Sequence, residues 1–335
     1  IKMITGDQKD TASAVAEEIG IDKNGSVITG QELSGASDEE LKNIIKENNV
    51  FCRVTPKNKL QIIESLNSDH EITAMTGDEV NDAPALKRAD IGVSMGQRGT
   101  SVAREASDMI LLDDDFTTII KAVKEGRVIF DNIQKFIYYL FSNNLSKIIY
   151  IFIAILFNFP LPLLAMQILW INVVIDVLPA LSLAWEKEEK NIMQRSPDKH
   201  NKDIMTPSFT KKVVYHSFIL AAGPMLVYLW FLNNGYSVEL SRSISFALIA
   251  YTQLFHVFNA RRKSGLAFDK TLWENKYLWA AVLVGFIFQT AALYLPFLQG
   301  ILSTTAVPFE MFLPASLGFI IPMLIIQVSN YYSAD

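Results

Sequence analysis

From about residue 136 onward the sequence is a succession of apolar windows, at about 136–157, 163–185, 213–232, 243–260, 277–298 and 309–330, each with few or no charges. Each window is long enough to cross a hydrocarbon core of about 30 Å as a helix. This restricts the fold more than any other feature, because a backbone inside lipid must satisfy its own hydrogen bonds and a helix does so within one segment. Residues 136–335 are therefore expected to form an all-α domain of six transmembrane helices that returns the chain to its starting side. Lysine and arginine set the orientation. Segments 186–212 and 261–276 hold seven and five of them, against none in 158–162, one in 233–242 and none in 299–308. Positive residues collect on the cytoplasmic side. The chain is expected to be an integral, multi-pass membrane protein, with the lipid bilayer as a partner and its preceding residues in the cytoplasm.

Averages of 50% hydrophobic residues and mean hydropathy +0.23 conceal a boundary near Phe136. Before it the sequence is charged and punctuated by glycine. Strand-like runs at 1–4, 26–28, 50–54, 71–75, 91–94 and 109–111 alternate with helical patterns at about 8–19, 38–47, 56–67, 82–87 and 99–106. Such alternation predicts an α/β domain with a parallel, doubly wound sheet over 1–115. A stalk helix is expected over 116–135, capped by Asp113-Asp114-Asp115 and continuous with the first apolar window, to make a rod of about 60 Å. Net charge −5, with no basic stretch interleaved with aromatics, argues against nucleic acid as a partner. A single cysteine, Cys52, excludes an internal disulfide.

In a doubly wound sheet, ligands bind beyond the carboxyl ends of the strands. Three polar motifs fall there: Thr5-Gly6-Asp7, Thr55-Pro56-Lys57-Asn58-Lys59 and Thr76-Gly77-Asp78. Thr5 offers a hydroxyl, and Gly6 lets the backbone approach an anion. Thr55 and Pro56 read as an N-cap and first helical residue, which fixes Lys59 one turn in, with its ammonium available to a phosphoryl group. Asp78 is a candidate magnesium ligand, with Asn81 and Asp82 orienting its waters or the phosphate.

The string from Thr76 to Lys87, with Met3–Asp7 and Arg53–Lys59 before it and Ala89-Asp90-Ile91-Gly92-Val93 after it, resembles the hinge-side half of the phosphorylation domain of P-type cation-transporting ATPases. The resemblance implies a haloacid dehalogenase-like fold, ATP as substrate and Mg2+ as cofactor. It assigns Asp78 to magnesium, Lys59 to phosphate neutralisation, Thr5 and Gly6 to phosphate contact with Asp7 beside them, and Asn81 and Asp82 to support. The family's Asp-Lys-Thr-Gly-Thr signature, which carries the nucleophile, does not occur in these residues. Ile1–Ile4 reads as a strand already running, so the expected further partner is an N-terminal part of the pump. Glu79 stands where the family usually places Gly, and is expected either to face solvent or to perturb magnesium affinity.

The apolar windows resemble the last six helices of a ten-helix type II pump. Ionisable residues inside a membrane are costly and mark function. Asn144 and Lys147 share a helical face at three-residue spacing, as do Asn172 and Asp176 at four, with Pro179 leaving carbonyl groups unpaired nearby. The run from Gln167 to Ala180 is similar to the sixth helix of calcium pumps, which implies Asn144, Asn172 and Asp176 as ligands of the transported cation. Two-ion calcium pumps carry Glu at the positions of Lys147 and Gln253, and an oxygen donor at Ile175. These changes imply at most one ion, with Lys147 pairing with Asp176 or replacing a cation. Calcium is the favoured ion, in the plasma membrane of a prokaryote. The alternatives are a monovalent-cation or proton pump of the same family, or a catalytically incomplete fragment that needs a separate N-terminal chain.

Overall fold

The computed structural model describes residues 1–21, 26–69, 71–189, 191–195, 204–263, 265 and 270–332. Lys190, Lys199 and Lys202, counted above in the orientation of the windows, lie outside them. The chain divides into two units, the first built on Ile1–Val123 and the second on Lys124–Ser196 and Asn201–Asp335.

In the first unit, Val50, Phe51 and Cys52 are wholly buried, as befits a central strand of a parallel sheet, where both faces are covered. They form β3 (Val50–Cys52), flanked by β1 (Met3–Ile4) and β2 (Val27–Thr29). Both pairings are parallel, with Met3 and Val27 each opposite Val50. A second parallel sheet follows the order β4 (Ala74–Gly77), β5 (Ile91–Met95), β6 (Met109–Leu111), with Thr76 opposite Val93 and Met95 opposite Leu111.

Helices α1 (Lys9–Glu18), α2 (Gly30–Gly35), α3 (Asp38–Glu47) and α4 (Pro56–Ser68) accompany the first sheet. The second sheet is accompanied by α5 (Ala83–Arg88) and α6 (Ser101–Ala106). The six strands thus lie in two three-stranded sheets rather than in one continuous sheet. The open edges of β1 and β4 both line a cleft of about 830 Å³, walled by Ile1, Ile4, Ile62, Ile63 and Met75 and by Lys59.

Asp115 starts the stalk: its carboxylate accepts from the Thr117 amide at 2.8 Å and from the Thr117 hydroxyl at 2.7 Å. Helix α7 (Thr117–Leu156) then runs for 40 residues, with Gly126 inside it. Helix α8 (Ala165–Trp170) leads through one π-helical segment, Ile171–Ile175, into α9 (Val177–Ser182). The remaining long helices are α10 (Pro207–Asn233), α11 (Val238–Ala260) and α12 (Lys276–Tyr294). Then come α13 (Pro296–Leu302), α14 (Phe309–Ala315) and α15 (Leu317–Tyr332). The window expected to run from 277 to 298 stops at Tyr294, because Pro296 has no amide proton and opens a new helix.

Among the described residues, five helical stretches are long and apolar enough to cross a membrane: Thr117–Leu156, Ala165–Trp185, Pro207–Asn233, Lys276–Tyr294 and Phe309–Tyr332. No more than 44% of any one is buried, so most of their apolar surface, including Phe152, Ile155, Leu226 and Leu283, faces outward as lipid requires. Helix α11 is the exception. It is buried along nearly its whole length and carries Ser241, Ser243, Ser245, Thr252, Gln253, His256 and Asn259 in the interior. Facing protein rather than lipid, it can hold polar groups that bond its neighbours. Small residues bring α10 and α15 together: a Cβ on Gly223 would lie 2.1 Å from the Gly318 carbonyl oxygen.

Ion pairs to buried carboxylates hold the end of α7 that begins the second unit. Asp131 is bound by Arg195 at 2.5 Å and by Lys263, and Asn132 donates to the Glu186 carbonyl at 2.8 Å. Glu186 itself pairs with Arg261 at 3.3 Å, both side chains being at most 2% exposed. Charges so deeply withdrawn from water require such partners.

Candidate functional site

The residues singled out in the sequence fall into two sets, one in each unit. In the first unit, Thr55 caps α4 through a reciprocal box. Its hydroxyl accepts from the Asn58 amide at 3.3 Å, and Asn58 Oδ1 accepts from the Thr55 amide at 3.1 Å. Pro56 occupies the first turn. The cap fixes the direction of α4, and from it Lys59 reaches Asp82, with Nζ 2.5 Å from Oδ1. Asp82 is 3% exposed and also accepts from the Glu79 amide at 3.4 Å.

The turn between β4 and Asp82 requires glycine at position 77, because a Cβ there would lie 2.6 Å from the Asp82 Cβ and 2.8 Å from its Oδ2. Asp78 follows, half-buried, its carbonyl accepting from the Thr100 amide at 2.9 Å. Glu79 and Asn81 are exposed. At the end of β1, the Thr5 hydroxyl donates to Asp7 Oδ2 at 2.9 Å and accepts from the Asp7 amide at 3.1 Å. Space is open where a Gly6 side chain would be.

Lys59 and Asp82 are thus brought together, while Asp7 is turned onto Thr5. Among the described residues, no three Asp, Glu, His or Cys side chains form a metal-holding cluster. A magnesium ion commonly binds through one or two carboxylates, with phosphate oxygens and water completing the octahedron. Asp78, which pairs with no described cation, has the chemistry for one such ligand, whereas Asp82 is committed to Lys59.

In the second unit, Lys147 projects from α7 into the interior at 3% exposure. Its Nζ lies 2.8 Å from Asp176 Oδ2 and also donates to Asn172 Oδ1. Asn172 belongs to the π-helical segment, and Asp176 follows it, the Asp176 amide donating to the Ile171 carbonyl at 2.9 Å. A π turn widens the helix and offsets the side chains that follow it. Pro179 then denies the Ile175 carbonyl its usual donor one turn on.

Asn144 requires a correction. It is exposed, and its side chain bonds back to the Leu140 carbonyl at 2.9 Å. The inward amide is Asn143, wholly buried, whose Nδ2 donates to Asp176 Oδ1 at 3.1 Å. Three- and four-residue spacings both place a neighbour near Lys147, and the four-residue partner is the one on its inner face.

Gln253, from α11, completes the group by donating to the Asn143 carbonyl at 3.1 Å and to Ser146 Oγ at 3.3 Å. Asn143 Oδ1 and Gln253 Oε1 are buried acceptors without a partner among the described residues. The set therefore combines one carboxylate, neutralised by an ammonium, with two unused amide oxygens. Unused buried oxygens of this kind suit a hard cation.

Residues 160–332 match the family model described as cation transporting ATPase, C-terminus, and residues 1–90 match that of haloacid dehalogenase-like hydrolases. The chain is 40% identical over 307 residues to a calcium-transporting ATPase of Bacillus subtilis (strain 168), covering 91% of this chain and 34% of that protein. It is 38% identical over 305 residues to the human calcium-transporting ATPase type 2C member 1, covering 91% and 33%. Against the probable cation-transporting ATPase F of Mycobacterium bovis it is 38% identical over 312 residues, covering 92% and 34%. The chain spans about a third of the length of these relatives. A membrane unit whose polar interior surrounds Asp176, preceded by a haloacid dehalogenase-like domain, agrees with these matches, and the chain belongs to the P-type cation-transporting ATPases.

Proposed function

We propose that the chain is the C-terminal portion of an ATP-driven pump that moves a single calcium ion per cycle, with Lys147 occupying the place of a second ion. The observation that carries this reading is the bridge from Lys147 to Asp176 and Asn172. An ammonium seated on the only carboxylate among the ligand candidates offsets its charge and takes up its oxygen. The oxygens left over, Asn143 Oδ1 and Gln253 Oε1, are too few for the six to eight that calcium prefers at two positions. The Bacillus and human relatives, both calcium-transporting ATPases by name, favour calcium. Coordination then falls to Asn143, with Asn172 and Asp176 sharing their oxygens between Lys147 and the ion, Asn144 replaced by its neighbour and Gln253 adjusting the cavity.

In the soluble unit, bound magnesium would supply charge neutralisation to a phosphoryl group, and Asp78 is its proposed protein ligand. Lys59 holds a positive charge at the same end of the sheet, with Asp82 setting its direction. Thr5 and Gly6 offer a hydroxyl and an unobstructed backbone to phosphoryl oxygens, with Asp7 holding Thr5. Asn81 is exposed and free to meet a substrate, and Glu79 points to solvent.

The cleft between the open edges of β1 and β4 supports a further element of this reading. A parallel strand from an upstream part of the pump, carrying the nucleophilic aspartate, fits there and would join the two sheets into one doubly wound sheet. The proposed topology has six crossings, counting α11. The soluble unit lies in the cytoplasm, and the membrane is the plasma membrane of a prokaryote.

Reconstituted complete pump, assayed for calcium moved per ATP hydrolysed, tests the proposal. One calcium per ATP is expected, and two would end it. The rival is a monovalent-cation or proton pump. It is favoured by the same Lys147–Asp176 pair, since an internal ammonium suits a site that does not collect divalent charge. ATP hydrolysis activated by sodium, potassium or acid, and not by calcium, would select it.

A further inference from the structure

We propose a second ligand site in the membrane unit, a pocket for the phosphate headgroup of an anionic phospholipid at the end of the bundle where α10 begins. A cavity of about 620 Å³ opens there between α7, α10, α11 and the end of α15. Its wall carries five cations, Lys135, Lys211, Lys212, Arg262 and Lys263, and no carboxylate among the described residues.

Two of these positive charges are already answered from behind. Lys135 pairs with Glu189 at 3.3 Å, and Lys263 with Asp131. Lys211 and Lys212 form no ion pair with a described carboxylate. Lys212 Nζ instead donates to the Lys263 carbonyl at 2.8 Å and sits 5.4 Å from the centre of the Tyr138 ring. The first turn of α10, with Ser208 and Phe209, also faces the cavity, and a helix start favours an anion. A half-buried ammonium held over an aromatic face beside a helix start is a site prepared for negative charge.

The rest of the molecule indicates that this charge comes with an acyl chain. Lys211, Tyr215 and Phe218 lie on one face of α10 at four- and three-residue spacing, and Tyr215 and Phe218 are both 54% exposed. A polar, basic cavity thus continues directly into an exposed apolar stripe, which matches an amphiphile with a phosphate head. A soluble phosphate would use the cavity and leave the stripe unused. Basic pockets between helices on the cytoplasmic side have this chemistry. The proposal goes beyond the pump reading and needs only that the helices span a bilayer.

The test is lipid retention, so its failure is separable from any failure of transport. The complete chain is placed in nanodiscs of phosphatidylcholine mixed with phosphatidylglycerol, released in the mass spectrometer, and scored for the lipid that stays bound. Preferential retention of phosphatidylglycerol is expected. Lys211→Gln with Lys212→Gln should weaken it roughly 30-fold, about fivefold for each charge removed. Lys211 is exposed, so Lys211→Gln alone preserves the fold and should still lower retention about fivefold. Lys187→Gln removes an exposed cation outside the cavity and should change nothing. Equal losses from Lys187→Gln and Lys211→Gln would reduce the effect to general surface charge and overturn the proposal. Binding of inorganic phosphate to wild type but not to the double variant, without lipid preference, would reassign the site to a soluble anion and overturn it as well.

Discussion

Lys147 Nζ stands 2.8 Å from Asp176 Oδ2 across the α7–α9 boundary, and both side chains are 3% exposed. A pair at this depth is stable only as a pair. Removing one member strands the other charge, at a cost of about 3–5 kcal/mol, whereas replacing both by apolar groups is often neutral. Lys147→Met and Asp176→Leu should each lower stability by that order, and the double variant should recover most of it. Denaturant unfolding in detergent, arranged as a double-mutant cycle, measures the coupling. Additive losses would show that the two residues act separately.

The neighbouring amides offer a sharper discrimination. Asn144→Ala should change stability by no more than about 0.5 kcal/mol, as at other exposed positions. Asn143→Ala removes a donor from Asp176 and should cost about 1–3 kcal/mol. The same variant should weaken cation binding measured by calorimetry on the complete chain. An equal response from both would mean that the inner face of α7 has been misassigned.

Gly77 tests the soluble site. Gly77→Ala sets a methyl group against Asp82 and must push that carboxylate away from Lys59. A stability loss of about 1–3 kcal/mol is expected from the enforced shift. In the complete pump, phosphorylation by ATP should fall with it. Thr55→Ala, which only removes the α4 cap, should cost about 1 kcal/mol.

Acid should loosen one loop of the same unit. Asp114 accepts from the Gln97 and Arg98 amides, both at 3.0 Å, and these bonds, led by that from Gln97, hold its carboxyl below the ordinary range. A depressed carboxylate contributes fully above its unfolded pKa of about 3.9 and loses its contribution as the pH falls through the lower folded value. Protection of the Gln97 and Arg98 amides, taken relative to free-chain exchange at the same pH, should therefore be high at about pH 5 and fall in stronger acid. In Asp114→Asn protection should be low at both, and an unchanged acid response in that variant would point to another group.

What the sequence made legible followed from strong local signals. Thr55-Pro56 announced α4 and the placement of Lys59. The apolar windows, with few or no charges, announced the long helices, since few other structures tolerate lipid. Helix α2 escaped notice because it is six residues long, although Thr29 and Glu32 already spelled the capping box that starts it. The π segment escaped because no residue type demands it; it follows from how Asn172 and Asp176 meet α7. Asn143 was overlooked in favour of Asn144 because the spacing rule tolerates either, and the choice depends on the rotation of α7 against α11. Two separate sheets were not foreseen, since strand alternation encodes which segments are strands and not which edges remain without a neighbour.

The close approach of Gly223 to Gly318 sets the backbones of α10 and α15 against each other, with the side chains of Pro322 and Val227 packed beside the contact. Helices in such contact should move as one. In the proposed pump, travel that accompanies ion passage should therefore fall to the other wall of the pocket, where α7 meets the π segment through polar contacts that can be exchanged one at a time.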